Sequence, residues 1–380
     1  MVPVLLGWHL YELTGSKFVL GMLGLSEVIP AVLLALPAGV RVDSSAKRTL
    51  IVRMLSLYLV VITGFGVLSL YGNLLQQKLL LTTLFLLMVA CTGAIRAFLG
   101  PAYVAILAQI VRREELVKAA SMNSMTFLLG AIIGPVLAGF VVGYLEVWQV
   151  FGIAFALVLM AVLSFLQIAP KPVTFVKGDN RTWDSVKEGL EFVWNKKDLL
   201  GAMSLDMFAV LFGGAVAMLP VFAKDILQAG PQAFGILMSA TYLGNFISIL
   251  FLTVFPLRKD HGKKLICSVA GFGVCIIVFA LSKSVVLSFT ALFVSGLLDG
   301  VSVIIRSTIF QIVVPNDIRG RVSSVNSVFI NSSNELGQFE SGLAATLMGT
   351  VPSVVFGGLM TIFISVFVWI KNPTLRKYEY

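Results

Sequence analysis

The sequence predicts an all-α transmembrane fold of two pseudo-symmetric six-helix bundles, and three observations carry that expectation. First, AQIVRREELVKAASMNS at 108–124 returns as FQIVVPNDIRGRVSSVNS at 310–327, sharing Gln-Ile-Val, a charged turn and a Ser/Ala-rich run ending Asn-Ser. The offset is 202 residues at Gln109/Gln311 and 203 at Asn123/Asn326 in a chain of 380, as duplication of a membrane helix bundle leaves behind. Second, with 58% hydrophobic residues, 12% charged and a mean hydropathy of +0.96, the chain has too little polar surface to cover a soluble globule. Third, 22 of the 28 basic residues fall in alternate loops, which under the positive-inside rule are cytoplasmic.

A helix needs about 20 apolar residues to cross the hydrocarbon. Runs of that kind fall at 18–40, 49–71, 79–107, 117–144, 147–168, 199–223, 231–257, 264–283, 285–313, 321–347 and 351–370, eleven full crossings. The preceding VPVLLGWHLYELTG is too short for a crossing and lacks the basic start and cleavage site of a signal peptide. It is expected to be the second half of a truncated first helix, which restores twelve. The organisation that follows is a first bundle over 1–168, a cytoplasmic linker over 169–198, a second bundle over 199–371 and a cytoplasmic tail over 372–380. Within the linker, Val186, Leu190, Val193 and Trp194 recur at helical spacing among Lys187, Glu188 and Glu191, predicting an amphipathic helix on the membrane surface.

Several function classes have little material here. The cysteines Cys91, Cys267 and Cys275 lie within apolar runs, without metal-ligand or disulfide spacing, and read as helix-packing residues. Of two histidines, His261 lies in a basic loop, so zinc and Ser-His-Asp chemistry are not expected, nor is any enzyme activity, cofactor or metal. The net charge of +9 belongs to topology and anionic lipid, not to nucleic acid.

Four groups of residues are candidates for mechanism. The turn LPAGVRVDSSAKR carries Gly39, Asp43, Lys47 and Arg48, and FPLRKDHGKK repeats the ingredients as Asp260, Gly262, Lys263 and Lys264. Carboxylates and cations at helix ends form ion-pair latches that break when bundles rock, although basic loops also simply anchor topology. Ionisable residues at membrane depth are costly and are functional candidates by default: Arg96, Asp299, Arg306, Asp206 and Glu27. Arg96 aligns in the repeat with the neighbour of Asp299, whereas Asp299 and Arg306, seven residues apart, share a helix face and can neutralise one another. Such carboxylates exchange protons as a cation approaches or withdraws, which is the chemistry of proton coupling; buried structural ion pairs are the alternative. The run VNSVFINSSNELGQFESG places Asn331, Asn334, Glu335 and Gln338 on one face, too polar for lipid, and either cavity lining or interhelical bonding follows. Gly130, Gly134, Pro135 and Gly139 in LLGAIIGPVLAG permit close helix approach and a bend.

These segments resemble the major facilitator superfamily. The first turn resembles its loop motif G-x-x-x-D-R-x-G-R-R, with Ser44 and Ala46 in place of the usual Arg and Gly, and 128–139 resembles its antiporter motif. GWHLYELTGS, IRAFLGPA, LDMFAVLFGGAVAMLPVFA and SNELGQFESG resemble the branch that contains the enterobactin exporter and related bacterial efflux proteins, over residues 7 to 371. The resemblance implies the major facilitator fold and alternating access by a monomer spanning a bacterial inner membrane many times. It also implies export of a small organic solute, a siderophore or a drug-like compound, against protons. Proton-coupled or facilitated uptake, and a non-transporting sensor or scaffold with the same fold, are the alternatives.

Overall fold

A computed structural model describes residues 1–72, 77–169, 182–315 and 318–379. The described residues are helical from end to end: α1 (Val2–Thr14), α2 (Lys17–Ser44), α3 (Lys47–Tyr71), α4 (Lys78–Ile110), α5 (Leu116–Tyr144), α6 (Val147–Gln167), α7 (Thr182–Asn195), α8 (Lys197–Gly213), α9 (Leu219–Val221), α10 (Gly230–Val254), α11 (His261–Leu281), α12 (Val285–Val313), α13 (Arg319–Met348), α14 (Thr350–Lys371) and α15 (Pro373–Arg376). Hydrocarbon supplies no hydrogen-bond partner, so a spanning segment must satisfy its backbone internally, which a helix does within one chain segment. Ten described helical segments are long and apolar enough to cross a bilayer. The expected eleventh, α13, has 30 residues but is too polar to join them, because its serines, asparagines and glycines serve packing and polar contacts.

The expected crossing at 199–223 is not one helix. After Gly213-Gly214 the backbone leaves α geometry and passes through a 3-10 turn (Ala215–Met218), α9 and a π turn (Phe222–Ile226). Two consecutive glycines lower the cost of leaving the helix, and Pro220 then restarts it at its first turn. His261, expected in a loop, is the first residue of α11 and fully buried, with Nε2 3.2 Å from the Leu257 carbonyl. Cys91 and Cys267 are exposed, so they do not pack between helices as expected; all three cysteines are free thiols.

The chain forms two compact units. One holds Met1–Gly15 and the chain from Met22 to the end of α6; the other holds Ser16–Gly21 and the chain from α7 onward. In the first, α3 packs against α4 and α6. Phe65 of α3 stacks on Phe85 of α4 at 5.9 Å and on Phe151 of α6 at 5.5 Å between ring centroids, and all three are fully buried. Glu146 opens α6 with a capping box closed by Gln149. The linker's residues 170–181 and its Val186 side chain lie outside the described residues. The helix expected from its periodicity is α7, whose Val193 is buried with Leu205, Val322 and Val325 of the second unit, while Leu190 and Trp194 stay exposed.

Close backbone approach holds the second unit. A Cβ on Gly244 of α10 would collide with the Phe293 carbonyl of α12, and one on Gly296 of α12 with the Thr241 carbonyl of α10. Gly357 of α14 lies similarly against the Phe212 carbonyl of α8, and Gly337 of α13 lies against the α8 backbone at Val210 and Leu211. Small residues permit the dispersion contacts that must replace a hydrophobic driving force between helices in lipid.

Gly296→Val is expected to cost about 1–3 kcal/mol through overpacking against α10. Gly130→Ala, where a Cβ meets nothing within 4 Å, should stay within about 0.5 kcal/mol of the parent. Thermal unfolding of the two purified variants in one detergent compares them, and equal losses would contradict the packing account.

Candidate functional site

The second unit brings three of the expected charges together. Asp206 sits midway along α8, and Asp299 and Arg306 lie two turns apart on α12. Arg306 Nη1 ion-pairs with Asp206 Oδ2, while Nη2 is 3.8 Å from Asp299 Oδ1. The third edge of the guanidinium, Nε, donates to the Ser302 hydroxyl at 3.2 Å and the Ser302 carbonyl at 3.3 Å. Asp299 Oδ2 in turn accepts from Asn245 Nδ2 of α10 at 2.8 Å. The Arg306 and Asp206 side chains are only 15% and 10% exposed, against 32% for Asp299. One fixed cation therefore faces two carboxyl groups. Asn245 and Ser302 had no sequence signal as members, being isolated polar residues in apolar runs.

In the first unit Arg96 Nη1 of α4 lies 2.7 Å from Glu27 Oε1 of α2. Gly93, one turn earlier on α4, makes the pair possible: a Cβ there would strike the Glu27 backbone carbonyl, so only glycine lets the helices come this close. The pair is more open than the Arg306 cluster, with side chains 47% and 24% exposed. In the second unit Asp299 faces Arg306 along one side of α12, as residues two turns apart on a helix can.

The α13 stripe is divided. Glu335 is buried at 4% exposure and Gln338 half-buried, whereas Asn334 is exposed and donates back to the Ile330 carbonyl at 3.0 Å. The side chain of Asn331 lies outside the described residues. Tyr242 of α10 lies within electrostatic reach of both Asp299 and Glu335, which links this part of α13 to the charged cluster.

The sequence profile of a family described as transmembrane secretion effectors matches residues 1–379. The chain belongs to that family, within the major facilitator superfamily. It is 24% identical over 320 residues to the enterobactin exporter EntS of Escherichia coli O1:K1 / APEC and to that of Shigella boydii serotype 18, covering 83% of this chain and 75% of each relative. Its fold is similar to a point variant of the nucleoside transporter NupG, with a TM-score of 0.76 at 16% identity over 97% of this chain and 94% of the other. A D-xylose-proton symporter follows with 0.70 at 12% identity, over 100% and 97%. As a major facilitator, the chain is a multi-pass membrane transporter that acts on a small molecule.

The two basic turns share ingredients but use them differently. In the first, Lys47 Nζ donates to the Val42 carbonyl at the end of α2. Arg48 reaches across to the end of α6, where Nε donates to the Phe165 carbonyl at 3.2 Å and Nη2 to the Leu166 carbonyl at 2.6 Å. Both cations thus sit on carbonyls at helix C-termini, where positive charge is favoured. A Cβ on Gly39 meets nothing within 4 Å, and the Asp43 side chain lies outside the described residues.

In the second turn Asp260 caps α11 in the left-handed region at φ 57° and accepts from Lys263 Nζ at 2.7 Å. The Lys263 hydrogen bond and charge hold the Asp260 carboxyl below the usual carboxylate range. The Lys264 amide donates to the Asp260 carbonyl at 2.9 Å as an ordinary first helical bond. Gly262 is needed for a reason the sequence did not signal: its amide donates to the Tyr378 carbonyl at 3.1 Å, and a Cβ would collide with the Leu375 carbonyl. The tail beyond α14 therefore packs onto this turn, and Glu379 accepts from the Asp260 amide at 3.3 Å.

On α5 the close approach expected at Gly130 is not found, since no described atom lies within 4 Å of a Cβ there. A Cβ on Gly134 meets only an ordinary contact at 3.5 Å, Pro135 and Gly139 are buried, and the helix continues through the proline.

Arg306→Leu strands two partly buried carboxylates, and a loss of about 3–5 kcal/mol is expected. Arg96→Gln opens an exposed pair and is expected to cost less than about 1 kcal/mol. Melting curves of the two variants in the same detergent test the ordering, and a reversed order would show that the Arg306 cluster is not the more deeply compensated one.

Proposed function

We propose that the protein is a secondary active exporter in the bacterial inner membrane, moving an organic solute out of the cytoplasm by alternating access while protons flow inward. The observation that carries this reading is Arg306 shared between Asp206 and Asp299. A guanidinium keeps its charge at every pH the protein meets, so a proton entering the cluster resides on a carboxylate. When it does, Arg306 is freed from one of its two partners, and the balance of forces between α8 and α12 changes. A substrate or a conformational change that draws Arg306 back displaces the proton, which is the exchange an antiporter needs.

Arg96 and Glu27 form the corresponding but neutral pair in the first unit, and the loop residues Asp43, Lys47, Arg48, Asp260, Lys263 and Lys264 act as gating latches. Gly130, Gly134, Pro135 and Gly139 bend α5 as the bundles rock. Asn331, Asn334, Glu335 and Gln338 offer donors and acceptors to an oxygen-rich substrate. The relatives named as enterobactin exporters favour a siderophore or a compound of similar polarity as cargo.

Inverted membrane vesicles acidified inside by respiration test the reading, with enterobactin, erythromycin and ethidium added in turn. At least one of these should dissipate the pH gradient in vesicles holding the parent protein. Asp206→Asn and Asp299→Asn should each reduce that flux by at least about tenfold at equal protein level. Undiminished flux in both variants would remove the cluster from coupling.

A further inference from the structure

The turn between α2 and α3 and its flanks carry four basic residues, and the structure divides them into two kinds. Lys47 and Arg48 are tied to the carbonyl ends of α2 and α6. Arg41 and Arg53 are exposed, and neither side chain makes a hydrogen bond or an ion pair among the described residues. Both line a widely open cavity of about 660 Å³ whose lining residues all belong to the first unit. Ser45 and Thr49 line the end nearest the turn. The far end is apolar: Pro37 lies about one helical turn inward of Arg41, and Phe98 lies about 18 Å along α4 from its cytoplasmic end at 1.5 Å per residue. The cavity is cationic and hydroxylated at the membrane surface and greasy toward the membrane interior.

We propose that this cavity binds the headgroup of an anionic phospholipid of the cytoplasmic leaflet. The phosphodiester sits between the Arg41 and Arg53 guanidiniums, whose planar forks suit phosphate oxygens. Ser45 and Thr49 donate hydroxyl hydrogens to the phosphate or glycerol oxygens, and the first methylenes of the acyl chains run along Pro37 and Phe98. The volume falls in the range of about 300–1,000 Å³ typical of small-ligand sites, enough for a glycerophosphate and the start of its chains. Charge complementarity selects the occupant: the basic turn faces the leaflet that carries anionic lipid, and an unpaired guanidinium there is attracted to it. A lipid in this place touches α2, α3 and α4 together and ties the first unit to the membrane independently of what is transported. A soluble phosphate ester offers the same headgroup chemistry without the tails, and that difference is testable.

Native mass spectrometry of the purified protein in a neutral detergent reads the site directly. Phosphatidylglycerol is expected to remain bound at a concentration at least about tenfold lower than phosphatidylcholine does. The Arg41→Gln/Arg53→Gln double variant should lose that preference. Arg258→Gln/Lys259→Gln, which removes the same charge from the turn before α11, should keep it. Glycerol 1-phosphate in tenfold excess should not displace the lipid. Thr49→Phe fills the cavity with both arginines in place and is expected to lower phosphatidylglycerol retention, so the test survives if the double variant does not fold. Equal retention of the two lipids by the parent overturns the proposal, as does an unchanged preference in the Arg41/Arg53 or Thr49 variant, or an equal loss in the Arg258/Lys259 control. Displacement by glycerol 1-phosphate overturns the lipid and leaves a site for a soluble phosphate ester.

Discussion

Hydrocarbon offers a buried polar group nothing to bond with, and most of this protein's structure answers that constraint. Each spanning segment is a helix because only then are its amides and carbonyls satisfied. Charges inside the spans are compensated locally: Arg306 by Asp206, Asp299 and Ser302, and Arg96 by Glu27. Even the basic residues of the first turn follow the rule, since Lys47 and Arg48 are placed on carbonyls that end helices. With water absent as a driving force, the helices adhere by fit, and Gly244, Gly296, Gly337 and Gly357 bring backbones into contact where any side chain would hold them apart.

The duplication has not left two equivalent halves. Among the described residues, the Arg96–Glu27 pair of the first unit is open to its surroundings, whereas in the second unit Arg306, shared by Asp206 and Asp299, lies deeper in the protein. In the triad Arg306 pairs closely with the buried Asp206 and lies 3.8 Å from the more open Asp299. The repeated turns have diverged in the same way: one is held by cations on helix ends, the other by the chain's own C-terminal residues packed over Gly262.

The helical segments, their order and the charge bias of their loops were legible because lipid imposes length and polarity on every crossing. The Asp299–Arg306 pairing was legible as one of two options, since residues seven apart share a face of any helix. The break after Gly213 was not, because an apolar run reads alike whether it is one helix or three short turns; Gly213-Gly214 was its only mark. The polar stripe of α13 was legible as a stripe, but its division into buried Glu335 and exposed Asn334 depends on which neighbours α13 meets.

The sequence by itself determined that this chain is a duplicated bundle of membrane helices with a few costly charges, because hydropathy, repeat spacing and basic-loop bias are local properties of the chain. Only the tertiary structure decided that Asp206 of α8 meets Arg306 of α12, that Arg48 reaches a helix-end carbonyl 117 residues away, and that Arg41 and Arg53 share one cavity. Those relations rest on how helices distant in sequence are packed. A glycine that admits a neighbouring backbone looks, in one dimension, like any other glycine.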